Sequence, residues 1–142
     1  MTTEPSDPVS QYLRDVLAEF ECVSGTIHRA GDEGLELVAH EGIPEPVLDR
    51  IRRIPVGKGM AGIAAEREEP VQVCNLQTDD SGVAEAGARE TGMEGSIATP
   101  IFGADGELVG VLGVAKADSY EFSETECELL LGAGERIAPR LQ

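Results

Sequence analysis

Hydrophobic positions first recur at spacings of three and four. Val9, Tyr12, Leu13, Val16, Leu17 and Phe20 predict an amphipathic helix over 8–20, with Asp7 as N-cap and Pro8 at the first helical position. The period then shortens to two. Segments 23–30 and 35–40 read as strands joined by the turn Gly31-Asp32-Glu33-Gly34, a hairpin. Val47, Leu48, Ile51 and Ile54 place one apolar face on a short helix over 46–54, which Pro55 ends. Further on, the pattern predicts a helix at 59–67, a short strand at 71–74, a polar loop at 75–82 and a weak helix at 84–91. Strands at 96–102 and 108–115 flank the turn Ala104-Asp105-Gly106. The run at 108–115 is apolar on both faces and should be central. Ser123-Glu124-Thr125-Glu126 is a capping box that starts a final helix towards Leu141, with Phe122 placed to staple onto Cys127. Because hairpins dominate, the fold class expected is α+β: an antiparallel sheet with helices on its faces.

The length of 142 residues suits one domain, expected at 8–142 behind a loose tail over 1–7. Charge narrows the partners. Eleven basic and 27 acidic residues give a net charge of −16, which repels nucleic-acid backbones and anionic membrane surfaces. The N-terminal stretch lacks the basic and apolar regions of a signal peptide, and no apolar run reaches the length of a membrane span. A cytoplasmic protein is therefore expected. Cys22, Cys74 and Cys127 form no Cys-x-x-Cys pair, so neither a disulfide framework nor a zinc site is indicated. Cys22 and Cys127 fall on apolar faces and read as packing residues.

Gly57, Gly59 and Gly62 crowd the stretch 54–65. Their spacing fits the dinucleotide fingerprint G-x-G-x-x-G. That site needs an apolar strand feeding the first glycine. Here the run-in is Asp49-Arg50-Ile51-Arg52-Arg53-Ile54-Pro55, which is charged and proline-ended. The fingerprint fails on that ground, and the glycines read instead as a tight entry to the helix at 59–67.

The same stretch, with Glu69-Pro70-Val71, Asn75-Leu76 and Asp79, resembles the centre of a GAF domain. Gly95 to Ile101 and Gly106 to Val114 resemble its paired late strands, and Tyr120 to Glu126 the start of its last helix. The resemblance spans nearly all of 8–141. It implies a central antiparallel sheet of five to six strands. The terminal helices lie on one face, and helices that cover a pocket lie on the other. It also implies a sensory module for a small effector, dimerising through the terminal helices.

Specialised family chemistry is not matched. In the similar free methionine-(R)-sulfoxide reductases, the cysteine positions correspond to Ala61 and a site near Arg89 here. Bilin attachment would need a Cys-His pair, and only Asn75 and Asp79 echo the cyclic-nucleotide pattern. His28 and His40 read as structural histidines. Ser24, Thr26 and His28 alternate onto one strand face and are placed to line a pocket. The ligand contacts expected are Met60, Ile63, Cys74, Asn75, Asp79, Met93, Ser96 and Thr99, the last two on opposite strand faces. No catalytic or metal-binding set emerges, and no cofactor is named. The expected function is a non-enzymatic, small-molecule-binding sensory module that signals through a separate partner protein. The alternatives are a ligand-free dimerisation platform and a thiol redox enzyme or sensor using Cys74.

Overall fold

A computed structural model of the chain describes residues 8–79 and 91–141. Asp7 and nearly all of the predicted 84–91 helix lie outside the described residues. Helix α1 spans Pro8–Phe20 and buries Val9, Leu13, Val16, Leu17 and Phe20, the stripe set by its three-four spacing. Strands β1 (Ser24–Gly31) and β2 (Gly34–Glu41) pair antiparallel. Gly34, at φ +112°, makes the turn that a side chain would strain. Helix α2 (Glu45–Ile51), β3 (Arg53–Ile54), α3 (Gly59–Arg67) and β4 (Val71–Val73) follow. Then come β5 (Ser96–Phe102), β6 (Leu108–Ala115) and α4 (Glu124–Ile137), which closes in a 3₁₀ turn over Ala138–Arg140.

One six-stranded sheet runs in the order β3-β2-β1-β6-β5-β4, and every pairing is antiparallel. The doubly apolar β6 lies inside it, between β1 and β5. Ser123 accepts from the Glu126 N–H at 3.1 Å, while the Glu126 carboxylate accepts from the Ser123 N–H at 2.8 Å. This is the capping box that the sequence spells out.

Two elements differ from the sequence pattern. The helix expected over 46–54 ends at Ile51, and Arg53–Ile54 instead pairs with Glu36 and Leu35. Ile54 precedes Pro55, whose ring disfavours helical backbone in the residue before it, and the edge of β2 offers the released segment a partner. The last α-helix stops at Ile137 because Pro139 cannot donate to the ladder.

Register sorts the side chains of β1, β6 and β5 into rows. On one face stand Gly25–Val114–Ile97 and Ile27–Leu112–Thr99. On the other stand Ser24–Ala115–Ser96, Thr26–Gly113–Ala98 and His28–Val111–Pro100. The first face carries the main core, where Leu13, Leu130 and Ile137 from the terminal helices meet Ile27, Ile97 and Leu112. Gly110 belongs to this face, and a Cβ there would lie 2.3 Å from the His28 carbonyl oxygen. The second face is covered by α3, whose Ala64 and Ala65 pack with Leu35, Val71, Ala98 and Val111.

Candidate functional site

Small side chains in the second set of rows leave space between the sheet, α2 and the start of α3. A cavity of about 490 Å³ opens there, within the range of small-molecule sites. Its floor is the Thr26–Gly113–Ala98 row. Val47 and Ile51 of α2 form one wall, and Met60 and Ala61 in the first turn of α3 form another.

The glycine stretch makes that α3 wall. Gly57 and Gly59 have φ of +94° and +68°, values that favour glycine. A Cβ on Gly62 would meet the Pro55 carbonyl oxygen at 2.5 Å. The Gly57 N–H donates to the Gly62 carbonyl at 2.8 Å, and the Lys58 N–H donates to the Pro55 carbonyl at 3.2 Å. The three glycines fold the chain back on itself and begin α3 at the cavity edge.

His28 is the most constrained polar group in the lining. It is 1% exposed. Its Nε2 lies 2.8 Å from the Ile51 carbonyl oxygen. A carbonyl only accepts, so Nε2 carries the hydrogen, and Nδ1 of the neutral ring is a bare acceptor. That Nδ1 is buried and has no partner among the described residues. Burial pushes the imidazole pKa below its ordinary 6.5, and the backbone bond to Ile51 opposes this, so the ring is neutral at pH 7. A register shift between β1 and β2 falls at Ile27/His28, a bulge beside the site.

The mouth is cationic. Arg50, Arg53 and Lys58 line it, and among the described lining residues there is no carboxylate. All three side chains are exposed. Arg53 also reaches Glu33 at 3.3 Å, a solvent-facing pair with side-chain exposures of 60% and 81%. Lys58 is the N-cap residue of α3, whose first turn holds no acidic side chain.

Of the contacts expected from sequence, Met60 and Ser96 line the cavity, as do Ser24, Thr26 and His28. The structure places the others elsewhere. Ile63 packs against the α3-side core. Thr99 is buried on the terminal-helix face and bonds the Leu112 carbonyl at 3.4 Å. Cys74 is exposed at the end of β4, outside the lining. Asn75 ties its loop together, accepting from the Gln77 N–H at 2.9 Å and donating to the Ser119 hydroxyl at 2.9 Å. The Met93 carbonyl accepts from Gln77 at 2.8 Å. Neither Met93 nor Asp79 belongs to the lining. Leu76, rather than its neighbour Asn75, reaches the cavity.

Sequence reasoning missed the cationic mouth. Its signal was present: Arg50, Arg52, Arg53 and Lys58 gather four of the eleven basic residues of an acidic chain. Burial pushes the Cys22 thiol up to about 11, consistent with packing. Cys127 is raised as well, by burial first and then by neighbouring glutamates. No group of His, Cys, Asp and Glu with metal-binding geometry occurs among the described residues. No helix among them is long and apolar enough to cross a membrane.

The family model of the GAF domain matches residues 4–142. No curated protein matches the sequence significantly. Solved structures do. The type II free methionine-R-sulfoxide reductase of Thermoplasma acidophilum has a TM-score of 0.78 at 15% identity, covering 94% of this chain and 89% of its own. A domain assigned to a two-component sensor histidine kinase of Sinorhizobium meliloti gives 0.73 at 15% identity, with 99% and 93% covered. The free methionine-R-sulfoxide reductase of Neisseria meningitidis, solved with its substrate, gives 0.70 at 20% identity, with 99% and 94% covered. At these identities the likeness establishes the fold alone.

Proposed function

The chain belongs to the GAF family, and from that premise we propose that it is a small-molecule-binding sensory or regulatory module that binds without turnover and passes its signal to a partner protein. The observation that carries this reading is the cavity of about 490 Å³ between the sheet, α2 and α3. Apolar walls with a few fixed polar groups are the ordinary make-up of such a site. Ala61 stands in the wall, and Cys22, Cys74 and Cys127 all lie outside the lining, which favours binding over thiol chemistry.

Native mass spectrometry of protein purified from its source cells, paired with a thermal-shift screen of a broad metabolite set, tests the reading. A bound small molecule, or a compound that raises the midpoint of the wild type but not of Ala61→Leu, supports it. No bound molecule and no shift across the set overturns it. Turnover of a bound compound would remove the non-enzymatic part.

Dimerisation through the terminal helices is a second proposal. Leu129 on α4 is 50% exposed. Sedimentation of wild type and Leu129→Glu tests this, and a wild-type monomer at all concentrations would exclude it.

A further inference from the structure

Three hydroxyls stand on the cavity floor without a hydrogen-bond partner among the described residues. They belong to Ser24, Thr26 and Ser96, all in the lining. Ser24 is 2% exposed. Among the described residues only His28 Nδ1 is both unpartnered and sealed, so the Ser24 oxygen is open, and the space it faces is the cavity it lines. The opposite sheet face behaves differently: Thr99, buried there, bonds the Leu112 carbonyl at 3.4 Å. A hydroxyl that gives up water without a new partner carries a cost that an incoming polar group removes. Register fixes the layout of the three. Ser24–Ala115–Ser96 and Thr26–Gly113–Ala98 are neighbouring rows on this face. Hydroxyls therefore occupy three corners of a rectangle, and Ala98 is the fourth. Strand geometry gives it sides of about 7 Å along β1 and about 10 Å across β6. Ala115 and Gly113 between the corners carry at most a Cβ, which keeps the patch level. No charged side chain stands on it, and the lining residues Arg50, Arg53 and Lys58 are exposed.

We infer that the cavity takes a flat compound of one or two fused rings whose uncharged edge carries at least two hydroxyl or ring-amide groups, bonded by Ser24, Thr26 and Ser96. This rests on the ligand-binding reading above and narrows it to a chemical class. Flatness follows from the level floor. Size follows from the rectangle: a hydrogen bond spans about 2.8 Å at each edge, so one ring or a fused pair fills the remaining width. The edge groups are hydroxyls or amides because each protein hydroxyl both donates and accepts. They are uncharged because the floor offers no opposite charge, and a buried unpaired ion costs far more than a neutral group. The ring lies on Ala115 and Gly113, with Val47, Ile51 and Met60 supplying apolar contact around it.

The test uses matched probes on the full chain, followed by calorimetry. One set is 2,7-dihydroxynaphthalene, 2-naphthol and naphthalene-2,7-dicarboxylate. A second is quinazoline-2,4-dione and its 1,3-dimethyl derivative. In at least one set the compound with two neutral edge groups is expected to bind about fivefold or more tighter than its partner lacking one or both. The dicarboxylate should bind about tenfold or more weakly than the diol. Combining Ser24→Ala, Thr26→Val and Ser96→Ala should erase the diol's margin while leaving 2-naphthol binding within about twofold, which separates lost hydrogen bonds from a damaged cavity. Without ligand, the same triple variant should melt no lower than the wild type, because the hydroxyls it removes hold nothing in the protein. A lower midpoint would mean that they are bonded internally and would overturn the inference. So would a margin that survives in the triple variant, or 2-naphthol, the dimethyl derivative or the dicarboxylate binding as tightly as the parent compound; each of these leaves ligand binding standing. If no probe of either set binds, the inference also fails, while a compound of another class found in the metabolite screen would still uphold the broader reading.

Discussion

The two faces of this sheet are made from alternate residues of the same strands, yet they are filled differently. On the terminal-helix side the rows are Ile27–Leu112–Thr99 and Gly25–Val114–Ile97, and Leu13, Leu130 and Ile137 close over them with no exposure. On the other side the corresponding positions are Thr26–Gly113–Ala98 and Ser24–Ala115–Ser96, and a cavity remains. A glycine in the middle of a strand ordinarily weakens it. Gly113 does so at the centre of the cavity floor, where a Cβ would lie 3.1 Å from the Thr26 hydroxyl. The first face carries the main packed core, and the second leaves the cavity open.

Substitution should separate the faces. The largest effect is expected at Leu130, fully buried against the sheet. Leu130→Ala should cost about 2–5 kcal/mol in urea unfolding, since a packed site relaxes incompletely. Leu13 and Leu130 carry the core, so charges there would report unfolding instead of dimer loss; the exposed Leu129 is the appropriate position. At the capping box, Ser123→Ala should cost about 1 kcal/mol in the same measurement. On the cavity face, Ala61→Leu should change stability by no more than about 1 kcal/mol, because the added methylenes enter open space, while removing ligand binding.

A pH titration sharpens the comparison further, because a buried histidine belongs to the cavity face alone. The pKa of His28 is lowered in the folded protein, so below the ordinary value of 6.5 the unfolded chain binds the extra proton. Its contribution to stability is then complete above about pH 6.5 and is lost as pH falls towards the depressed folded value. Urea midpoints measured from pH 8 to pH 5 should show this fall in the wild type and less of it in His28→Gln. The smallest effect is expected at Arg53→Gln. Its exposed pair with Glu33 should contribute less than about 1 kcal/mol, leaving the unliganded midpoint nearly unchanged.

Much of the fold was legible. The three-four spacing from Val9 to Phe20 gives α1 over Pro8–Phe20, the helix predicted at 59–67 is α3 over Gly59–Arg67, and the doubly apolar run at 108–115 is the interior strand β6. These elements follow local rules: period, caps, turn glycines and proline. The site was legible where alternation along one strand was enough and, through the family resemblance, at Met60 and Ser96. Ser24, Thr26 and His28 share a face whatever the neighbours are. Asn75 and Met93 look equally suitable for binding in the sequence, yet local bonds to Gln77 and Ser119 engage them elsewhere.

By itself the sequence determined most of the described elements, the α+β class and the family, because each rests on short-range spacing or on an ordered set of local motifs. Only the tertiary structure decided which residues share the cavity. Register brings Gly113 between Thr26 and Ala98. Packing of α2 ties the Ile51 carbonyl to His28 and leaves Nδ1 unmatched among the described residues, and the return of the chain through Gly57, Gly59 and Gly62 sets Lys58 in the same lining as Arg50 and Arg53. Cross-strand register and helix placement depend on the summed packing of the whole domain, which no local window of the sequence contains.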